Sequence, residues 1–306
     1  MSSNKPRMRS LSYHIKRIVM LSFFLACAFT HNCWAINLPY LDKAKIRLFI
    51  APDSQEYGEI VLKNPSPEPR TMRLYLEDWY YTPGGDGSKT FVAAGTTSRS
   101  CASWISFSPA EFTIPANGQQ RVSYTLKLPQ NAALEGGYYA VLFFESAVGQ
   151  VVQQEEGAGL NLVIRVGALF YVEVKGTIKR TAAIENFTLR KESSPSRLFV
   201  EADVRNSGNV DITAGGTFHI IDEKGMVYAR SEFNTVQTFP GDSGKLSGSW
   251  NTGEHPIANG TYDIVLTIDL GKALTEAGLG RGPVVTKEAR IEIGDNGEIL
   301  KIGVLK

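Results

Sequence analysis

From Ala44 onward the chain alternates short apolar and β-branched runs with clusters of Pro, Gly, Asn and Asp, and no helical period persists. In Thr71–Tyr81, for example, Met72, Leu74, Leu76 and Asp78 alternate with Arg73, Tyr75, Glu77 and Trp79, the period of two expected of a strand. The same pattern predicts strands at Ala44–Ile50, Tyr57–Leu62, Ile105–Phe107, Glu111–Ile114, Gln120–Leu128, Tyr138–Glu145 and Leu160–Gly176. A glycine-rich tip, Pro83–Gly87, opens a long loop that reaches Ser103. Further on, Thr177–Pro195 carries the hinge and the entry to the second half, followed by strands at Leu198–Asn206, Gly216–Asp222, Met226–Phe233, Lys245–Trp250, Thr261–Asp269, Val284–Ile293 and Glu298–Val304. Lys272–Ala277 reads as one helical turn. Turn formers recurring every ~8–12 residues, such as Asn206-Ser207-Gly208-Asn209 and Asp222-Glu223-Lys224-Gly225, give the rhythm of an antiparallel sandwich.

The first segment differs. Lys5, Arg7, Arg9, Lys16 and Arg17 precede the apolar run Ile18–Thr30 and the small-residue end Cys33-Trp34-Ala35, the pattern of a secretory signal peptide spanning residues 1–35. Its apolar run is shorter than the about 20 residues needed to span a bilayer, so no transmembrane segment is expected. Removal of residues 1–35 takes away five basic side chains and no acidic one. The balance shifts from 32 Lys plus Arg against 31 Asp plus Glu to 27 against 31. A nucleic-acid partner is disfavoured on that charge. The expected location is periplasmic or extracellular.

The remaining chain has room for two domains, read as 36–178 and 179–306, the second ending in a hairpin around Asp295-Asn296-Gly297. The expected class is all-β, two tandem immunoglobulin-like β-sandwich domains after a cleaved signal peptide. Tyr262, just after Asn259-Gly260-Thr261, sits where such folds place a tyrosine whose hydroxyl bonds back to the corner. Cys101 is left without an internal disulfide partner.

Catalytic chemistry finds little support. His219 and His255 lack the spacing of a zinc site, and no nucleophile elbow, phosphate loop or dinucleotide fingerprint occurs. No enzyme, cofactor or metal is expected, a secreted hydrolase being the least favoured reading. Along Leu160–Val174 the residues Leu160, Leu162, Ile164 and Val166 fall on one face, with Arg165 on the other. This run either covers one side of a core or, at a sheet edge, templates an incoming strand, with Leu160, Leu162, Ile164, Arg165 and Val166 as the contact residues. Arg47 either captures a carboxylate with its planar fork or is a solvated strand residue. Trp79 and Trp250 read as core plugs, and Tyr80, Tyr81 and Pro83–Ser88 as an exposed hairpin tip or a sugar-stacking surface.

Three stretches resemble the amino-terminal domain of the periplasmic pilus-assembly chaperones. Lys45-Ile46-Arg47-Leu48-Phe49 resembles their first strand, Ile60-Val61-Leu62-Lys63-Asn64 with Tyr75–Trp79 the following pair, and Ser108-Pro109 through Leu128-Pro129 their proline, strand, turn and strand. The resemblance implies non-covalent binding of exported protein subunits by β-strand addition. It also implies a first-strand arginine, here Arg47, acting with a last-strand lysine on a client's carboxylate. Ala168 stands where that lysine would be. Gly136-Gly137-Tyr138-Tyr139 and the second half are similar instead to immunoglobulin-like surface proteins of Gram-positive bacteria that bind peptidoglycan and partner proteins. An envelope or cell-surface scaffold binding cell-wall polymer or a partner protein is therefore the alternative.

Overall fold

A computed structural model describes residues 37–130, 134–150, 161–193, 196–253, 256–295 and 297–306. The expected signal peptide, Leu160 and His255 lie outside the described residues.

The first half contains β1 (Tyr40–Leu41), β2 (Lys45–Ile50), β3 (Gln55–Lys63), β4 (Arg70–Tyr81), β5 (Lys89–Ala93), β6 (Ile105–Ser108), β7 (Glu111–Ile114), β8 (Gln119–Lys127), β9 (Gly137–Gln150) and β10 (Asn161–Val174). They form one sheet in the order β1-β3-β8-β6 and another in the order β2-β10-β9-β4-β5, with β7 also paired to β4. Residues of even number on β4, β9 and β10 point between the sheets. Met72, Leu142, Phe144, Ala168, Phe170 and Val172 are thus fully buried against Ile60, Leu62, Val122 and Leu126. Burial of a side chain of this size contributes about 1.5–3 kcal/mol.

The second half contains β11 (Ala182–Ser193), β12 (Ser196–Asn206), β13 (Ile212–Asp222), β14 (Val227–Glu232), β15 (Val236–Thr238), β16 (Ser243–Asn251), β17 (Gly260–Asp269), α1 (Lys272–Glu276), β18 (Val284–Ile293) and β19 (Ile299–Ile302). The sheet β11-β12-β16 faces the sheet β14-β13-β17-β18-β19, with β15 on β13. Phe218, Leu246, Ile264, Leu266 and Ile291 fill the space between them. The chain therefore carries two immunoglobulin-like β-sandwiches. At the β13–β14 turn the carboxylate of Asp222 accepts the N–H groups of Lys224 and Met226 at 2.9 and 2.8 Å, and Gly225 takes φ of 79°. Tyr262 Oη donates to the carbonyl of Ala258 at 3.0 Å, closing the expected corner.

Several local readings change. Lys89–Ala93, expected in a loop, is a strand paired with β4, and Ala182–Ser193, within the stretch expected to hold the hinge and the entry to the second half without a strand of its own, is a strand paired with β12. Both were obscured by charged and small residues that long-range pairing overrides. Cys101 is fully buried in the first core, and burial pushes its thiol well above the usual range. The loop around it is tied down by Asp78, whose carboxylate accepts the N–H of Thr97 at 2.9 Å and the hydroxyl of Ser100 at 2.6 Å. Trp79 is buried but not between the two sheets. It lies on the opposite face of β4, where its Nε1–H donates to the carbonyl of Ala140 at 3.0 Å. Trp250 is half-buried against the second core.

Candidate functional site

The edge of the first half is built by one chain segment that changes sheets. β1 pairs with β3, and after Asp42–Ala44 the chain crosses over, so that β2 runs parallel to β10 from the pair Lys45 and Leu169 to the pair Ile50 and Val174. β9 pairs with β10 along its length, from Asn161 to Glu173, with a register shift between Asn161 and Val163. Leu169–Val174 is therefore flanked on both sides. Val163–Ala168 has β9 on one side and, among the described strands, no partner on the other.

Backbone parity defines that margin. Val174 N–H bonds to the carbonyl of Gly136 on the β9 side, and Leu169 N–H bonds to the carbonyl of Ala44 on the β2 side, both at 2.9 Å. Since main-chain groups alternate along a strand, the N–H and C=O of Val163, Arg165 and Gly167 point toward the uncovered side. Ile164 and Val166 are half-buried with their side chains toward the core, and Val166 packs against it. Val163 is 49 % exposed. Leu162 lies in β10, and Leu160 lies outside the described residues.

Arg165 turns away from the margin. Its guanidinium lies 4.2 Å from the ring centre of Phe143 and reaches over β9 to Glu77, at 3.4 Å. Across the sheet its register continues to Glu145, then Arg73, then Glu111, an alternating row of charge over four strands. Such cross-strand pairs favour one register over its neighbours.

Arg47 is not a solvated strand residue. Its side chain is 10 % exposed, and it meets two carboxylates of its own chain. It bonds to Glu173, and it holds Asp211 through a two-pronged contact, Nη1 to Oδ1 at 3.0 Å and Nη2 to Oδ2 at 2.8 Å. Arg180 donates to the same Glu173 oxygen at 2.8 Å. The Arg47 guanidinium also lies 4.4 Å from the Tyr171 ring centre. Burial by itself would lower the Arg47 pKa, but Asp211 and Glu173 outweigh it and hold the guanidinium above its usual range. Two positive and two negative charges thus close a neutral cluster. Asp211 belongs to the segment entering β13, so the cluster ties the two halves together. Tyr139 joins it, its hydroxyl oxygen accepting the Asp211 N–H at 2.6 Å.

Beside the cluster a cleft of about 640 Å³ opens between the halves, lined by Lys45, Arg47, Lys89 and Tyr171 from the first and Thr213, Thr235, Gln237 and Glu276 from the second. Burial and then the neighbouring Lys45 hold the Lys89 ammonium below its usual pKa. With Arg47 already neutralised, Lys45 and Lys89 are the cations this cleft offers to an anion. Sequence reasoning had not singled out either one, since each looks like a solvated strand end until the strands are placed side by side.

No protein-family profile matches the chain, and no curated protein matches it. Solved structures similar to it include the class 5 fimbriae chaperone CfaA, at 11% identity over 81% of this chain and 98% of that one, with a TM-score of 0.41. A chaperone–tip adhesin complex of CFA/I fimbriae biogenesis gives 12% identity, the same coverages and a TM-score of 0.41. The CupB2 chaperone of Pseudomonas aeruginosa gives 10%, the same coverages and 0.39. Among the described residues no helix is long and apolar enough to cross a membrane, and no three His, Cys, Asp or Glu side chains cluster as metal ligands.

Proposed function

We propose that this chain binds exported protein subunits non-covalently by β-strand addition along Val163–Ala168, acting as a periplasmic assembly chaperone. The observation that carries this reading is the side of β10 that has no partner among the described strands, where three outward-facing N–H and C=O pairs stand next to Ile164 and Val166. Main-chain groups supply affinity in such pairing, and alternate side chains supply selection. The export pattern of residues 1–35 agrees with a client met outside the cytoplasm. Arg47 contributes by fixing β2 against β10 and the second half. Ile164 and Val166 meet the client, and Arg165, folded back over Phe143, leaves the margin clear.

The parity of β10 provides the test. Arg165→Pro deletes an N–H that faces the margin and leaves the bonds to β9 in place. A fluorescent peptide of alternating Val and Thr is expected to bind the wild-type protein and to bind Arg165→Pro at least tenfold more weakly. Arg165→Ala, which keeps the N–H, should bind as the wild type does. Equal binding by Arg165→Pro and wild type would remove β10 as the seat.

A further inference from the structure

The tip between β4 and β5, read from sequence as an exposed hairpin end, reaches the second half. Gly84, Gly85 and Gly87 all have positive φ, at 123°, 76° and 83°. Asp86 fixes the tip by accepting the N–H of Ser88 at 2.9 Å, and Thr82 N–H bonds to the carbonyl of Ser88 at 2.8 Å. The tip then meets β15 and β16 through main chain. Gln237 N–H donates to the carbonyl of Gly85 at 2.9 Å, and Gly84 forms an isolated bridge with Gly244.

Glycine is required on both sides of that contact. A Cβ on Gly85 would lie 2.9 Å from Val236 Cγ1 and 3.1 Å from Gly244 Cα, and one on Gly244 would lie 2.3 Å from Val236 Cγ1. Gly84 carries a positive φ as well, yet nothing lies within 4 Å of its missing Cβ. Gly84 thus carries backbone strain alone, whereas Gly85 carries strain and collision together. Beside the tip, Phe239 of the second half stacks on Tyr139 at 4.2 Å between ring centres and packs against Trp79 at 5.1 Å and Tyr81 at 4.9 Å. Gly87 and Gln237, which face each other across the contact, both line the cleft.

We infer that the Gly84–Gly87 tip is a built-in spacer that fixes the angle between the two halves, and with it the width of the cleft, so that Leu38–Lys306 unfolds as one cooperative unit. A side chain at position 85 pushes β15 and β16 away, lifts Phe239 out of its aromatic seat and lets the halves move separately. This does not depend on strand addition at β10.

The test combines calorimetry with small-angle scattering on the purified chain. Wild-type protein is expected to melt in a single transition. Gly85→Val should split it into two and raise the radius of gyration. Gly84→Val, which bears backbone strain without the collision, should keep a single transition at a lower temperature and an unchanged radius. Should Gly85→Val fail to fold, Gly85→Ala answers the same question, and adding Val236→Ala, which removes the nearer of the two colliding groups, should bring the radius back toward the wild-type value. A single transition with wild-type radius for Gly85→Val or Gly85→Ala would overturn the inference, as would Gly84→Val opening the molecule to the same extent.

Discussion

Within β10, Leu169–Val174 lies between β2 and β9 and includes the fully buried Glu173, whereas Val163–Ala168 has β9 alone among the described strands and exposes 49 % of Val163. Both stretches have the same alternation, with apolar residues toward the core. They differ because β2 begins at Lys45, the chain before it having been committed to the other sheet. One end of the strand is thus part of the junction between the halves, and the other has no second neighbour among the described strands. Sheet edges of this kind are usually blunted or covered. Here the charged side chain at the edge, Arg165, is drawn inward over Phe143 and leaves the main chain accessible.

The sharpest way to break this contrast is at the buried end. Glu173→Ala leaves Arg180 and one side of Arg47 without a carboxylate inside the junction, and a loss of about 3–5 kcal/mol in urea unfolding is expected. If the loss is below about 1 kcal/mol, the cluster behaves as a solvated pair and the two ends of β10 do not differ in this way.

Proline at successive positions sharpens the comparison at the open end. Val166→Pro removes a bond to β9 and should cost about 3 kcal/mol, while Arg165→Pro should cost about 1 kcal/mol or less. Similar costs would mean that both sides of this stretch are paired.

Alkaline pH separates the buried end again. Burial first, and then Asp211, pushes the Tyr171 phenol up to about 12, and burial holds Tyr139 and Tyr81 higher than an ordinary phenol. The unfolded chain ionises at about 10, so this contribution is complete below pH 10 and is lost as pH rises from 10 through 12. For Tyr171 alone the loss is about 2–3 kcal/mol. Tyrosinate absorbance should rise together with unfolding, and Tyr171→Phe should lessen the stability lost over that window. The smallest effect is expected for Arg165→Ala, at most about 1 kcal/mol, because its pair with Glu77 is exposed.

Much of this was legible beforehand. The period of two placed Phe170, Val172 and Val174 on the core face, and the turn signals located most strands. The aromatic face was also present in the sequence, since Tyr75, Trp79 and Tyr81 on β4, Val141 and Phe143 on β9 and Leu169 and Tyr171 on β10 make the second face of three strands apolar. That is the mark of a sheet covered on both sides. What covers its Trp79 and Tyr81 end, Phe239, lies far along the chain, so Trp79 read as a core plug of its own sandwich.

The amino-acid sequence by itself determined which side of each strand is apolar, where the turns fall, and that Arg47 stands on a strand. Neighbours two residues apart share a face whatever the rest of the chain does. Only the tertiary structure decided that Arg47 meets the carboxylates of Glu173 and Asp211, that the glycine tip rests on β15 and β16, and that β10 has, among the described strands, a single neighbour before Leu169. Each of these depends on where distant segments come into register, because a strand's own residues do not encode which backbone lies beside it.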